Sequence, residues 1–253
     1  VFDNAELEAF APDLIYIHTS NRNITRYPQM SDSKSRITDL LEAEYQKYCT
    51  IWESIADRYH CPIIQNNFEM PMYRLKVNFL TRLNMMFYDY ADNHEDFYIC
   101  DINYISADYG LAEWSDPFFY HMYKYALNVN AIPYLAFNVA NIIKSVFGKN
   151  KKGLVLDLDN TLWGGVIGDD GVENIALGQE VAEGQIYSEF QNYVKEQTQL
   201  GVILNIDSKN DFENAKAGIE HPDSAFCMQD FIEIQANWDP KDQNFREIAE
   251  DLN

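Results

Sequence analysis

Apolar and polar positions along the chain follow two rhythms, and they alternate. The short apolar run Asp13–His18 is entered from Pro12 and left through Thr19, Ser20, Asn21, Arg22 and Asn23, which predicts a strand. Beyond a polar loop, apolar residues recur at Ile37, Leu40, Leu41, Tyr45, Tyr48, Ile51, Trp52, Ile55 and Tyr59 with Glu and Lys between them. That spacing is one face of a long helix, and it reads as core packing. Cys61–Ile64 then predicts a short strand, Phe79–Tyr90 a helix, Phe97–Ile102 a strand, and two further helices follow Pro117 and span Pro133–Phe147. Strands alternating with helices imply right-handed crossovers and a mainly parallel sheet. The polar break Gly148–Lys152 ends the last helix and opens a second apolar run, Gly153–Leu156, so a domain boundary is expected there, between residues 1–148 and 149–253. After Gly171 a helix is predicted over Glu183–Leu200, with Ile186, Phe190, Tyr193, Val194 and Gln197 on its packed face. Gly201 stops it, and Val202–Asp207 predicts a strand ending in the polar tip Ser208, Lys209 and Asn210.

Composition narrows the class. A chain of 253 residues with 47% hydrophobic residues can hold two modest domains or one large α/β domain. No apolar stretch reaches the roughly 18 residues that span a bilayer, and no charged-then-apolar leader opens the chain, so a cytoplasmic location is expected. The cysteines Cys49, Cys61, Cys100 and Cys227 lack CxxC spacing, which argues against structural zinc and a disulfide framework. His121, among Phe118, Phe119, Tyr120 and Tyr123, reads as a satisfied core or edge histidine. A formal charge of −21 and a pI near 4.4 argue against nucleic acid and anionic membrane as partners, since both call for a basic footprint. The same field repels a phosphorylated substrate. Binding one therefore requires local rescue by a metal, a lysine and backbone N–H groups.

The place for that rescue is Asp157-Leu158-Asp159-Asn160-Thr161-Leu162-Trp163, directly after the Gly153–Leu156 run and before the glycine-rich Gly164–Gly171. In an extended or just-turning backbone residues two apart leave on the same side, so Asp157 and Asp159 project into one crevice at the strand end, where an open α/β sheet keeps its ligand. Two carboxylates so placed repel unless a cation joins them, and Mg²⁺ suits oxygen ligands shared with phosphate. The plainer alternative for a bare DxD is a pair of aspartates capping the next turn. The longer string resembles the first motif of the haloacid dehalogenase (HAD) phosphotransferase superfamily, and DLDNTLWGGVIGDDG resembles its FkbH-like branch. That resemblance implies Asp157 as nucleophile, Asp159 as acid/base, and Mg²⁺ held at Asp157 and Asp159. Ser208 matches the second motif, which with Thr161, Lys209 and Asn210 implies contacts to the phosphorylated substrate. Lys241, in Asn237-Trp238-Asp239-Pro240-Lys241, resembles the third motif and its catalytic cation. Taken alone, a serine after a strand is a helix N-cap and a lysine after proline is a surface residue.

The resemblance implies two Rossmann-like three-layer parallel-sheet domains, the second HAD-like. Only about 45 residues separate Thr161 from Ser208, so no large cap is expected over the site. The second domain is expected to be C-terminally truncated, with its third strand and the acidic fourth motif beyond Asn253. The first domain resembles an SGNH-hydrolase-like domain, with Asn21 at the oxyanion-hole position. Asp116 and His121 are five apart, not in DxxH spacing, and the nucleophile block would precede residue 1, so a non-catalytic docking role is expected there. The join at Tyr73–Asn78 is shorter than in that family. Asp207 stands where glyceryl-transferring relatives carry cysteine. The implied activity is Mg²⁺-dependent phosphoryl processing on a phosphorylated small molecule, extending to transfer of a glyceryl unit from 1,3-bisphosphoglycerate to an acyl carrier protein. A simple phosphomonoester phosphatase and a catalytically silent carrier-protein-binding module are the alternatives.

Overall fold

The computed structural model describes residues 5–70 and 77–252, so most of the join at Tyr73–Asn78 lies outside the described residues. The chain divides into two compact units between Lys149 and Asn150.

In the first unit, a short helix α1 (Ala5–Phe10) precedes β1 (Ile15–Ile17), α2 (Lys34–Tyr59), β2 (Ile63–Asn66), α3 (Val77–Asp92) and β3 (Phe97–Cys100), and then come α4 (Ile102–Tyr109), α5 (Leu111–Trp114), α6 (Pro117–Tyr123) and α7 (Ile132–Val146). The strands form a parallel sheet in the order β1-β2-β3, with Ile15 opposite Ile63 and Ile63 opposite Phe97. Strand alternation sends Ile15, Ile17, Ile63, Phe97 and Ile99 towards α2 and α3, around Trp52 and Phe87. Tyr16, Ile64 and Tyr98 face the other way, onto Ile102 and Ile105 of α4 and Leu135 and Val139 of α7. The predicted stripe of α2 is the packed one, centred on the fully buried Trp52.

Two expectations shift at element ends. β2 runs on through Gln65 and Asn66, polar residues at which the apolar pattern predicts a stop. They stay in the sheet because they are satisfied: Gln65 Oε1 accepts the Trp52 indole N–H at 3.0 Å, and Asn66 exchanges bonds with the Thr19 backbone at 2.8 and 2.5 Å. β3 ends at Cys100, because Asp101 caps α4 by accepting the Tyr104 N–H. His121 lies exposed on α6 beside the Tyr120 ring, so it is an edge residue and no part of the core.

The second unit comprises β4 (Gly153–Leu156), a turn of helix α8 (Ile167–Asp170), α9 (Ala182–Gln197), β5 (Ile203–Ser208), α10 (Phe212–Ile219), β6 (Phe231–Ala236) and α11 (Lys241–Asp251). Its sheet is parallel in the order β4-β5-β6. The third strand is thus present before Asn253, contrary to expectation. Phe231–Ala236 pairs with β5 across a register shift at Leu204/Asn205, and its interrupted F-I-E-I-Q-A pattern hid it. Leu154, Leu156, Leu204 and Ile206 pack with Val194 of α9 and Ala215 and Ile219 of α10. Val155 and Asn205 look to the opposite face, where α11 brings Phe245 and Ile248.

The orientation of α9 is also a correction. Ile186 and Tyr193 point outwards, 65% and 60% exposed, and Phe190 is partly exposed. The inward face carries Gly184, Ser188, Gln191 and Val194 instead. This face is polar because it ties loops together. Ser188 Oγ accepts the Gly178 N–H, and Gln191 donates to the Leu162 carbonyl at 2.7 Å while accepting the Ala225 N–H at 2.8 Å. Gly184 lets the Leu177 backbone approach to where a Cβ would sit 3.0 Å away.

Beyond β2, Glu69 is buried. Its Oε1 accepts the Asn21 amide at 2.9 Å, and Oε2 has no partner among the described residues. Burial pushes this carboxyl from an ordinary 4.5 up to about 7, against the weaker opposing pull of backbone N–H groups and Arg22. An acid raised in this way stabilises the fold fully below its unfolded value and loses that contribution as pH rises through the folded value. Unfolding measured at about pH 5 and about pH 8 should therefore show wild type losing up to roughly 3 kcal/mol more than Glu69→Gln across that window.

Candidate active site

β4 ends at Leu156, and the chain turns as it leaves the sheet. Asn160 adopts a left-handed conformation (φ 54°) and its side chain accepts the Gly165 N–H at 3.1 Å, closing the turn that carries both aspartates. Asp157 Oδ2 lies 2.6 Å from Lys241 Nζ, Oδ1 accepts the Leu158 N–H at 2.9 Å, and the Ser208 hydroxyl hydrogen-bonds the same carboxylate. Partial burial on its own raises the Asp157 carboxyl; Lys241, the Leu158 N–H and Ser208 together overcome this and hold it below the usual carboxylate range. Lys241 is the first residue of α11, a position that the helix dipole disfavours for a cation. The ion pair with Asp157 supplies the reason for it to be there.

Asp159 faces a different set of donors. Its Oδ1 accepts the Trp163 indole N–H at 2.9 Å and the Ile167 N–H at 3.1 Å, and its Oδ2 accepts the Asn210 amide at 2.8 Å. Asn210 Nδ2 also lies 3.3 Å from Ser208 Oγ, which links the two aspartates through the polar tip of β5. Ser208 and Asn210 are buried. Three segments far apart in sequence therefore converge on one strand end: the turn after β4, the tip of β5 and the start of α11.

Of the residues predicted for this site, Asp157, Asp159, Ser208, Asn210 and Lys241 are brought together. Thr161 is half-buried in the turn, where its main-chain N–H donates to Leu158, and its hydroxyl takes no part in the bonds that join the cluster. Lys209 is exposed beside the tip and makes no bond to either aspartate among the described residues. Asp207 is buried on the α11 side, accepting the Asn244 amide at 3.1 Å. Two participants escape sequence reasoning, Trp163 and the Ile167 N–H. A buried tryptophan needs a partner for its N–H, but only the fold says which one. In the first unit, the Asn21 amide at the expected oxyanion position is turned into Glu69, and Asp116 caps α6.

Residues 2–144 match the family described as FkbH, N-terminal domain. The chain belongs to the FkbH family. The fold of this FkbH-family chain is similar to the crystal structure of the N-terminal part of the protein BF1531 from Bacteroides fragilis, with a TM-score of 0.85 and 29% identity over 98% of this chain and 68% of that one. That structure is described as containing a phosphatase domain complexed with Mg. No curated protein matches. Together these findings make the FkbH-family chain a HAD-type α/β protein with two parallel three-stranded sheets. None of its described helices is long and apolar enough to cross a membrane.

The packing behind the site is tight. Trp163 is fully buried, and a Cβ added at Gly218 on α10 would sit 2.5 Å from its ring. Gly218→Ala should therefore destabilise the second unit by about 1–3 kcal/mol, read as a lowered urea midpoint, because neither ring nor helix backbone has room to shift.

Proposed function

We propose that this protein is a Mg²⁺-dependent phosphoryl-processing enzyme with Asp157 as nucleophile. The observation that carries the proposal is the 2.6 Å contact between Lys241 and Asp157, made at the ligand-binding end of a parallel sheet and beside Ser208 and Asn210. A carboxylate is a competent nucleophile towards phosphorus, and one kept ionised by a lysine is available at neutral pH. Lys241 holds nucleophile and phosphoryl oxygens together, and the Ser208 hydroxyl and Asn210 amide supply further donors to those oxygens. Asp159 passes a proton to the leaving oxygen and recovers it from the attacking water. Support for this reading comes also from the phosphatase domain named for the similar Bacteroides fragilis structure.

The donor chemistry at the strand end fits Mg²⁺. The Asp157 carboxylate and the Asp159 main-chain carbonyl are hard oxygen donors, and no group of three His, Cys, Asp or Glu converges among the described residues. A cation held by so few protein groups completes its shell with water and phosphate oxygens, which is the habit of Mg²⁺. Bound there, it offsets the charge of the phosphoryl oxygens in a chain of formal charge −21. Hydrolysis of a generic aryl phosphate should accordingly disappear in EDTA and return with added Mg²⁺, and turnover that persists in EDTA would falsify the metal assignment.

Within this reading, transfer of a glyceryl unit from 1,3-bisphosphoglycerate to an acyl carrier protein is favoured over simple hydrolysis by the openness of the site. Between β4 and β5 the only long element is α9, so no cap domain is inserted there, which suits a carrier-bound acceptor. Asp207 offers no thiol, and its carboxylate is engaged by Asn244. Transfer should then go directly to the carrier thiol. Intact mass spectrometry after incubation with 1,3-bisphosphoglycerate and a phosphopantetheinylated carrier should show the glyceryl adduct on the carrier alone. An adduct on the enzyme would refute the direct route, and phosphate release with neither adduct would mark a phosphatase.

A further inference from the structure

We propose that Trp163 is a positioning residue for Asp159, fixing Oδ1 so that Oδ2 is the oxygen that delivers the proton to the leaving group. The inference rests on the reading of Asp157 and Asp159 given above and deepens it. Oδ1 accepts two N–H groups, from Trp163 at 2.9 Å and from Ile167 at 3.1 Å, which uses both of its lone-pair directions. Oδ2 accepts one N–H, from Asn210 at 2.8 Å, and keeps one direction for a proton.

The two donors on Oδ1 are rigidly held. Trp163 is fully buried in the core of the second unit, and its ring lies against the backbone of α10 at Gly218, where even a methyl group has no space. The Ile167 N–H is presented by the turn in which Asp170 Oδ2 accepts the Val166 N–H at 2.8 Å. The carboxyl plane of Asp159 is thereby set by groups that do not move with substrate, while the Asn210 contact sits at the end of β5, beside the phosphoryl-binding Ser208. In the first half-reaction an Asp157 oxygen bonds to phosphorus as the bond from phosphorus to the leaving oxygen breaks. The electron pair stays on that oxygen, which takes the proton from Asp159 Oδ2. In the second, water attacks phosphorus, its proton goes to Asp159 Oδ2, and the bond to Asp157 breaks. Without the indole N–H the carboxyl can rotate, and Oδ2 faces the leaving oxygen only part of the time.

Leaving-group dependence separates this from simple packing. An alkyl phosphate needs a proton at its departing oxygen, whereas p-nitrophenyl phosphate departs as a stabilised anion and gains little from an acid. The variants are Trp163→Phe and benzothienylalanine at the same position, which preserves the fused rings and replaces the N–H by sulfur. The expected result in the benzothienylalanine protein, with unfolding temperature close to wild type, is a fall in kcat/KM, which reports the steps through leaving-group departure, on the order of tenfold for ethyl phosphate and less than about threefold for p-nitrophenyl phosphate. Equal losses on the two substrates, or no loss on either, would overturn the positioning role. Asp157→Asn, assayed alongside, tests the underlying reading separately: activity retained in that variant removes the proposed nucleophile whatever the Trp163 ratio shows.

Discussion

Two carboxylates at one strand end must be kept from repelling each other, in a protein that already carries a large excess of negative charge, and the second unit is arranged around that constraint. Asp157 and Asp159 divide the available donors between them. The ammonium of Lys241 and the Ser208 hydroxyl go to Asp157, and the N–H groups of Trp163, Ile167 and Asn210 go to Asp159. The Trp163 and Ile167 donors follow Asp159 within the same loop, as the Leu158 N–H follows Asp157. Lys241, Ser208 and Asn210 reach the aspartates from the start of α11 and the end of β5, whereas turn-capping residues draw their donors from the turn that they open.

The parts of the molecule that were legible in advance are those in which one physical signal dominates. Apolar runs ending in polar tips placed β4 and β5, and the spacing of Tyr48, Trp52 and Ile55 placed the buried face of α2. The convergence of Asp157, Ser208 and Lys241 followed from the resemblance and the order of the motifs. Periodicity locates a face without saying which way it points. In α9 the polar stripe of Ser188 and Gln191 is buried because each side chain hydrogen-bonds a loop backbone group, and Ile186 and Tyr193 are left outside. β6 was hidden for a related reason, since its register shift against β5 breaks the alternation by which a strand is recognised. The role of Trp163 is legible from neither signal. Its ring is placed by close contact with Gly218, a residue that lies on α10 and is not marked by any pattern in the chain.

The two sheets share parallel topology, and their strand ends illustrate opposite uses of the same position. In the first unit, Gln65, Asn66 and Asn67 are wholly buried, and their amides are taken up by Trp52, Thr19, Tyr88 and Asp101. Asn21, which the resemblance placed in an oxyanion hole, directs its amide into Glu69. Polar groups that bind one another across a strand end make a firm junction and leave few donors for a ligand. In the second unit the strand-end groups are partly exposed at Asp157 and Lys241, and the buried donors behind them hold the aspartates in place. A buried shell that is fully hydrogen-bonded, carrying an outer pair open to solvent, is the arrangement expected where geometry must be fixed and charge must still meet a substrate.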